Sequence, residues 1–184
     1  MKVIQTEIPD VLVFEPRVLG DERGFFIETF QVPRYVSYGL KRPFVQDNLS
    51  RSRRGILRGL HLQNPQSQGK LVCVLRGRVL DVAVDVRVGS PTFGRHVAME
   101  LGDDTFRQLW VPRGFAHGFA VLSENADFFY RCDELYSPAD EIAIRWSDPA
   151  LKIDWRIDAP TLSARDANAP LLDEIERLPK YGEV

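Results

Sequence analysis

Among the side chains of this 184-residue chain whose types suit proton transfer are His61, His117 and Lys70. An imidazole titrates near neutral pH and can take a proton from a carbon acid. A protonated lysine cannot ligate a cation beside it, and two imidazoles alone make a poor zinc or iron site. Gathered in one interior, the three suit proton abstraction next to a carbonyl whose developing oxyanion needs a cation. Taken alone, each of these residues has an ordinary structural explanation. Whether they act together depends on the strands and loops that carry them.

Short strands dominate the predicted structure. From Leu80 to Arg87 apolar residues alternate with others, which is the period of a strand with one buried face. Similar runs predict strands at Val11 to Phe14, Phe25 to Phe30, Lys70 to Leu75, His96 to Leu101, Gln108 to Val111, Phe128 to Arg131 and Ile142 to Trp146. Turn signals separate these runs, so an all-β antiparallel sandwich or barrel is predicted. Only two short helices are predicted, from Pro33 to Tyr38 and from Leu171 to Leu178.

Composition and charge narrow the function classes. The formal net charge is -2 and acids and bases are mixed along the chain, so no basic stripe indicates nucleic acid or an anionic membrane. Cys73 and Cys132 are the only thiols, which fits a reduced cytosolic protein better than a disulfide framework. Every apolar stretch is too short to span a membrane. We expect one domain over residues 1–184, in the cytoplasm, with no nucleic-acid or membrane partner.

The spacing of a few residues resembles the two motifs of the cupin jelly rolls. The positions are Gly55, His61, Gln63, Lys70 and Gly77, followed by Pro112-Arg113-Gly114-Phe115-Ala116-His117. The resemblance implies a cupin-type antiparallel jelly-roll barrel with a few short peripheral helices. In metal-binding cupins the motifs supply histidines and a glutamate, whereas here Gln63 and Lys70 occupy two of those places. The barrel is therefore expected to hold no metal and to need no cofactor.

Longer blocks are similar to the dTDP-4-dehydrorhamnose 3,5-epimerase family. They are Gly20 to Phe26, Val45 to Asn48, Leu57 to Gln63, Gln68 to Val72 and Gly114 to Phe119, with Tyr130 to Tyr136, Trp146 to Pro149 and Leu162 to Asp166 downstream. The blocks occur in the family's order over nearly the whole chain. The resemblance implies an isomerase that inverts the carbons flanking the keto group of a dTDP-sugar.

The same resemblance implies four catalytic residues. His61 corresponds to the general base, and Asp166 to the carboxylate that fixes the tautomer and orientation of the imidazole. Tyr130 corresponds to the acid that returns a proton from the opposite face of the sugar. Lys70 corresponds to a cation beside the C4 oxygen, where it would stabilise the enolate.

A further set is implied to bind the nucleotide-sugar. Its members are Arg23, Glu28, Gln46, Asn48, Arg58, Lys70, His117, Glu141 and Arg165. Arginines suit a diphosphate because their planar fork gives paired, charge-assisted hydrogen bonds. Asp81 is expected to orient His117. Because the family is a homodimer that exchanges N-terminal strands, some of these residues are expected to act in the partner's site.

Three function classes remain after this reading. The leading one is double epimerisation of dTDP-4-dehydro-6-deoxy-D-glucose to dTDP-4-dehydro-L-rhamnose, and its close alternative is a single C3 or C5 epimerase of a related sugar. An inert cupin that only binds a sugar nucleotide is a different class. The presence of His61, Asp166, Tyr130 and Lys70 argues against it, because binding alone needs no acid and base pair. A metal-dependent cupin oxygenase fits least because of Lys70.

Overall fold

Two antiparallel sheets packed face to face form the fold, in a computed structural model that describes every residue from Met1 to Val184. The large sheet has the order β1 (Lys2–Gln5), β2 (Leu12–Glu15), β10 (Gln108–Val111), β7 (Lys70–Arg76), β12 (Asn125–Cys132), β5 (Gln46–Arg53). The small sheet has the order β13 (Glu141–Ala143), β6 (Leu57–Gln63), β11 (Phe115–Val121), β8 (Arg78–Asp85), β9 (His96–Gly102). The strands β3 (Val18–Asp21) and β4 (Gly24–Ile27) form a separate hairpin. The predicted all-β class is confirmed.

The main core lies between the two sheets. The large sheet contributes side chains such as Val72 and Phe128, and the small sheet contributes Ala83, Phe115 and Phe119. The Phe119 and Phe128 rings stack across the interface with centroids 4.1 Å apart. Burying side chains of this size stabilises a fold by about 1.5–3 kcal/mol each. This packing fixes the distance between the sheets, and so the width of the interior.

The outer face of the small sheet is buried as well. Leu80 and Val82 of β8 pack there with Leu151 and Trp155 of the C-terminal segment. The prediction that this strand has only one buried face was therefore wrong, since every residue from Val79 to Asp85 is buried. The apolar side of the alternation faces the C-terminal segment, and the other side faces the inter-sheet interior. That orientation brings Asp81 into the barrel.

Helices are few and short. The predicted first helix is present as α1 (Val32–Val36), where Tyr35 packs on Phe14 with ring centroids 4.9 Å apart. A single turn, α2 (Ala164–Ala167), was not predicted. The helix predicted from Leu171 was wrong in length, because only Leu172–Glu174 form a 3-10 turn and the chain then continues extended over the small sheet. None of the helices has the length and hydropathy needed to cross a membrane.

Candidate active site

A bulge in β6 brings Arg58 and His61 onto the same face of the small sheet. In a regular strand, residues three apart point to opposite faces. The register between β6 and β11 shifts here, because His117 pairs with His61 while Phe119 pairs with Arg58. Two residues of β6 therefore oppose one of β11, as in a β-bulge. The bulge turns both side chains toward the interior.

His61 is bound to a buried carboxylate. Its Nε2 lies 2.7 Å from Oδ1 of Asp166, which is 3% exposed, whereas the imidazole itself is partly exposed. Burial raises the pKa of Asp166, but the hydrogen bond and positive charge of His61, with hydrogen bonds from Gly59 and Ser163, lower it overall. An ionised Asp166 accepts a hydrogen bond from Nε2–H of His61, and this tautomer leaves Nδ1 with its lone pair. The pair is thus set up to receive a proton at Nδ1.

One turn of helix holds Asp166 in place. Ser163 is the N-cap of α2, and its hydroxyl accepts a hydrogen bond of 3.1 Å from the backbone N–H of Asp166. The second carboxylate oxygen accepts a long hydrogen bond of 3.4 Å from the backbone N–H of Gly59 in the bulge. The carboxylate is therefore fixed by both the helix and the strand that carries its histidine.

Tyr130 and Lys70 come from the opposing large sheet. Tyr130 shares a face of β12 with Phe128 and packs against the inter-sheet core. Burial raises the pKa of its phenol, so the group keeps its proton to higher pH. Lys70 begins β7, on the face that buries Val72. Burial lowers the pKa of Lys70, against the opposing influence of Cys132, Glu141 and Asp81.

A second histidine–carboxylate pair lies deeper. His117 is 7% exposed, and its Nε2 lies 3.0 Å from both carboxylate oxygens of Asp81, which is fully buried. Its ring stacks on Phe128 at a centroid distance of 5.9 Å. The expected contact between Asp81 and His117 is present. Because His117 and His61 are paired residues on adjacent strands, the two imidazoles line one wall of the interior.

Polar residues form the rim above these groups. Gln46 donates a hydrogen bond of 3.0 Å to Oδ1 of Asn48, whose backbone pairs with that of Tyr130. Glu141 accepts hydrogen bonds from Tyr136 and from Arg165. Burial raises the pKa of Glu141, but these two donors and the nearby His61 lower it overall. Seven residues of the predicted binding set therefore lie at or above the interior: Gln46, Asn48, Arg58, Lys70, His117, Glu141 and Arg165.

Arg23 and Glu28 lie apart from this group. Arg23 is on the hairpin, where it pairs only with Asp21, and 89% of its side chain is exposed. Glu28 follows β4 and forms an ion pair with Arg34. The hairpin pairs with neither barrel sheet. Within one chain, the structure does not bring these two predicted binding residues to His61.

The residues at the cupin metal positions are committed to other contacts. The structure has no group of three or more His, Cys, Asp or Glu side chains placed to hold a metal ion. The amide of Gln63 is hydrogen-bonded at both ends to backbone groups, and both histidines are paired with carboxylates. The donor set therefore does not fit a metal centre.

Three supporting residues were missed in the sequence. Ser52 is buried and accepts a hydrogen bond of 3.2 Å from Nε of Arg58. Tyr136 donates to Glu141 at 2.6 Å. Ser163 caps α2, and the order Ser163-Ala164-Arg165-Asp166 is a recognisable helix-start pattern. Only the Ser163 pattern can be recognised from the sequence, because the roles of Ser52 and Tyr136 depend on contacts that the fold creates.

The fold and the site together define a class: a jelly-roll barrel whose interior carries two histidine–carboxylate pairs where metal-binding cupins hold their metal. The family model described as dTDP-4-dehydrorhamnose 3,5-epimerase matches residues 5–174, and the chain belongs to this family of isomerases. It is 54% identical to the dTDP-4-dehydrorhamnose 3,5-epimerase of Shigella flexneri, over 91% of this chain and 94% of that protein. The cupin-type jelly-roll prediction is thereby confirmed.

Solved structures agree with this assignment. The chain resembles the dTDP-6-deoxy-D-glucose-3,5-epimerase of Legionella pneumophila in complex with dTDP-4-keto-L-rhamnose, with 53% identity, 98% coverage of both chains and a TM-score of 0.96. A 3'-monoepimerase from Streptomyces bikiniensis in complex with dTDP-quinovose is 36% identical, with a TM-score of 0.91 and coverage of 97% and 93%. The fold is thus common to double and single epimerases, while the identity is higher to the double epimerase.

Proposed function

We propose that this chain converts dTDP-4-dehydro-6-deoxy-D-glucose to dTDP-4-dehydro-L-rhamnose by inverting C3 and C5, a step in dTDP-L-rhamnose biosynthesis. The observation that carries the proposal is that His61, which lies 2.7 Å from Asp166 of α2, is on the sheet that opposes Tyr130 and Lys70. Inversion requires a base on one face of the ring and an acid on the other. The high identity to named 3,5-epimerases supports inversion at both carbons.

The mechanism follows from the geometry. Nδ1 of His61 removes the proton from C5 or C3, and the electron pair moves through the adjacent carbonyl to leave an enolate with its charge on the C4 oxygen. The ammonium of Lys70 stabilises that oxygen, and His117, held by Asp81, is the second polar group on the same interior. Tyr130 then donates its proton to the carbon from the opposite face. Solvent restores the proton of Tyr130 and removes that of His61.

Substrate binding is assigned to the rim. Arg58, Gln46 and Asn48 present donors toward the mouth of the interior, which suits the diphosphate and the base of the nucleotide. Glu141 and Arg165 form an ion pair on the opposite side of the mouth, where a sugar hydroxyl or a phosphate oxygen can replace one partner. The compartment proposed for this reaction is the cytoplasm, in keeping with two free, buried cysteines.

We infer a homodimer in which the hairpin completes the partner's site. Phe25 and Phe26 are 63% and 66% exposed on the hairpin, and such exposure is typical of a contact surface. Arg23 on the same hairpin has no role near its own His61. Exchange of β1 between subunits is part of this proposal, although β1 pairs with β2 of its own chain here.

A mixing experiment tests the dimer. Arg23→Ala and His61→Ala are each expected to lose activity alone. If Arg23 acts in the partner's site, a dimer of one chain of each kind retains one site with both residues intact, and co-refolded mixtures regain activity. Mixtures that stay inactive while light scattering detects dimers would place Arg23 outside the partner's site.

Proton NMR in deuterated water tests the reaction. Incubation of dTDP-4-dehydro-6-deoxy-D-glucose with the protein is expected to replace the protons at both C3 and C5 and to form the L-rhamno product. Loss of one signal alone would assign the single epimerase, which remains the second candidate because the Streptomyces bikiniensis enzyme has the same fold. Loss of neither would leave only a sugar-nucleotide binding role.

A further inference from the structure

We propose that Gln63 is a positioning residue, which holds the segment from Leu135 to Ser137 so that Tyr136 keeps Glu141 in place at the mouth of the His61 site. The proposal rests on the proposed function, since it concerns the mouth of the same site. Gln63 occupies a position where metal-binding cupins carry a ligand, yet its role here is to bind backbone. Its side chain is on the interior face of β6, two residues beyond His61.

Every polar atom of the Gln63 amide is used on the flanking loops. The residue is 3% exposed, and its Nε2 donates to the carbonyls of Gln66 at 2.7 Å and Leu135 at 3.1 Å. Its Oε1 accepts from the backbone N–H of Ser137 at 2.9 Å. The bonds to Leu135 and Ser137 lie on either side of Tyr136. The amide therefore fixes the backbone of Tyr136 from both directions.

The remaining contacts close a ring around the rim. The N–H of Tyr136 donates to Oε1 of Gln46 at 2.9 Å, and its hydroxyl donates to Oε2 of Glu141 at 2.6 Å. Glu141 in turn is the β13 residue that pairs with Gln63 of β6. The ring thus runs from Gln63 through the loop, the tyrosine and the carboxylate back to Gln63. A change at its buried amide reaches Glu141 without any change in the barrel core.

The position of Glu141 matters for the chemistry. His61 and Lys70 are both close enough for their charges to interact with this carboxylate. A Glu141 displaced with the loop would alter the field at both groups and release Arg165 from its ion pair. Since half of Tyr136 is exposed, burial alone does not hold it, and the hydrogen bonds must. This is why a single buried amide can control the rim.

The test compares Gln63→Glu with wild type. Glutamate fills the same volume and keeps an acceptor for Ser137, but it loses both donors, so the chain still folds while the loop is released. We expect the KM for the dTDP-sugar and the Kd for dTDP itself to rise about tenfold, within the range for coupled neighbours, and kcat to fall as well, because the field at His61 and Lys70 changes. Gln63→Ala is expected to raise the KM for the dTDP-sugar and the Kd for dTDP as well.

Two controls separate positioning from general destabilisation. Asp148→Ala removes a buried side chain that accepts from the N–H groups of Ala150 and Leu172 in the C-terminal segment, so it should lower Tm without raising KM. In a Tyr136→Phe background, Gln63→Glu should add little, because both changes act through the same contact. Additive effects, or a Gln63→Glu protein with wild-type KM and Kd, would overturn the proposal. An inactive wild-type protein would defeat the proposed function instead, while the dTDP titration would still test Gln63.

Discussion

A β-carbon on Gly59 would lie 2.5 Å from the Cα of Gly118, so the two strands approach more closely than any side chain allows. Gly59 also has a φ of +123°, a conformation that L residues rarely adopt. These two features make the bulge that turns Arg58 and His61 to one face. The proposed catalytic arrangement therefore depends on a residue with no functional group.

Gly59→Ala should remove activity out of proportion to its effect on stability. The added methyl group pushes β6 from β11 and rotates His61 away from Asp166, and overpacking of this kind costs about 1–3 kcal/mol. We expect kcat/KM to fall by at least about 100-fold, the scale of a lost proton-transfer group, in protein that still unfolds cooperatively. Gly39→Ala is the matched control, because Gly39 also has a positive φ but open space around it. Equal losses in the two variants would contradict the role of the close approach.

The sequence predicted strands best where an apolar run coincided with one strand between clear turns. Gln108 to Val111 matches β10 at both ends. Alternation does not predict β6 or β11 as strands. The bulge at Gly59 breaks the alternation of β6, and β11 is buried along its whole length, so its two faces do not differ. One buried face was predicted for β8, but both faces are buried, because the C-terminal segment that covers the outer face is far away in sequence.

For the site, the family resemblance implied which residues act together, and the fold supplied the distances between them and the reason they meet. Asp166 is more than a hundred residues from His61, and no local pattern links them, yet they meet at 2.7 Å. The pairing of Asp81 with His117 was anticipated, but the reason it lies inside the barrel was not. The resemblance also implied that Arg23 binds the substrate, but within one chain the fold leaves Arg23 on the hairpin, paired with Asp21 and away from His61.

Asp166→Asn should slow catalysis without unfolding the protein. The amide keeps the shape of the carboxylate but cannot hold the tautomer of His61 that leaves Nδ1 free as the base. We expect kcat to fall by roughly 100-fold or more, with KM nearly unchanged, since general base catalysis contributes about this much. Steady-state kinetics by NMR or coupled assay give both constants. Wild-type kinetics in the variant would remove Asp166 from the mechanism.

The same carboxylate should make stability depend on acid pH. The pKa of Asp166 is lower in the folded protein than its ordinary value of 3.8, so its contribution is complete above that pH. It is lost as pH falls through the lower, folded-state pKa. Urea unfolding of wild type and Asp166→Asn should therefore differ most above pH 3.8 and converge as pH falls through the lower, folded-state pKa. Asp173→Asn, at an exposed position, is the control and should track wild type throughout.

The alkaline limb of the pH–rate profile should belong to Lys70. Burial lowers the pKa of Lys70 below its ordinary 10.5, whereas burial raises those of Tyr130 and, to about 11, of Cys132. As pH rises, the ammonium therefore loses its proton earlier than an ordinary lysine would, and the enolate loses its counter-charge. We expect kcat/KM to fall above neutral pH with a midpoint below 10.5. Lys70→Arg should move this midpoint upward in the residual activity, while Tyr130→Phe should leave it in place.

Tyr130→Phe should separate proton removal from proton return. The variant keeps the ring that packs against the inter-sheet core and loses only the phenolic proton. His61 can still form the enolate, so deuterium from solvent should enter C3 or C5 on the original face while the inverted product accumulates at least about 100-fold more slowly. His61→Ala should abolish both exchange and product, and Tyr181→Phe, at an exposed residue near the C-terminus, should change neither. NMR in deuterated water follows both quantities in one sample. Inverted product formed at the wild-type rate in Tyr130→Phe would mean that another group or water delivers the proton, and would leave Tyr130 as a wall of the sugar site.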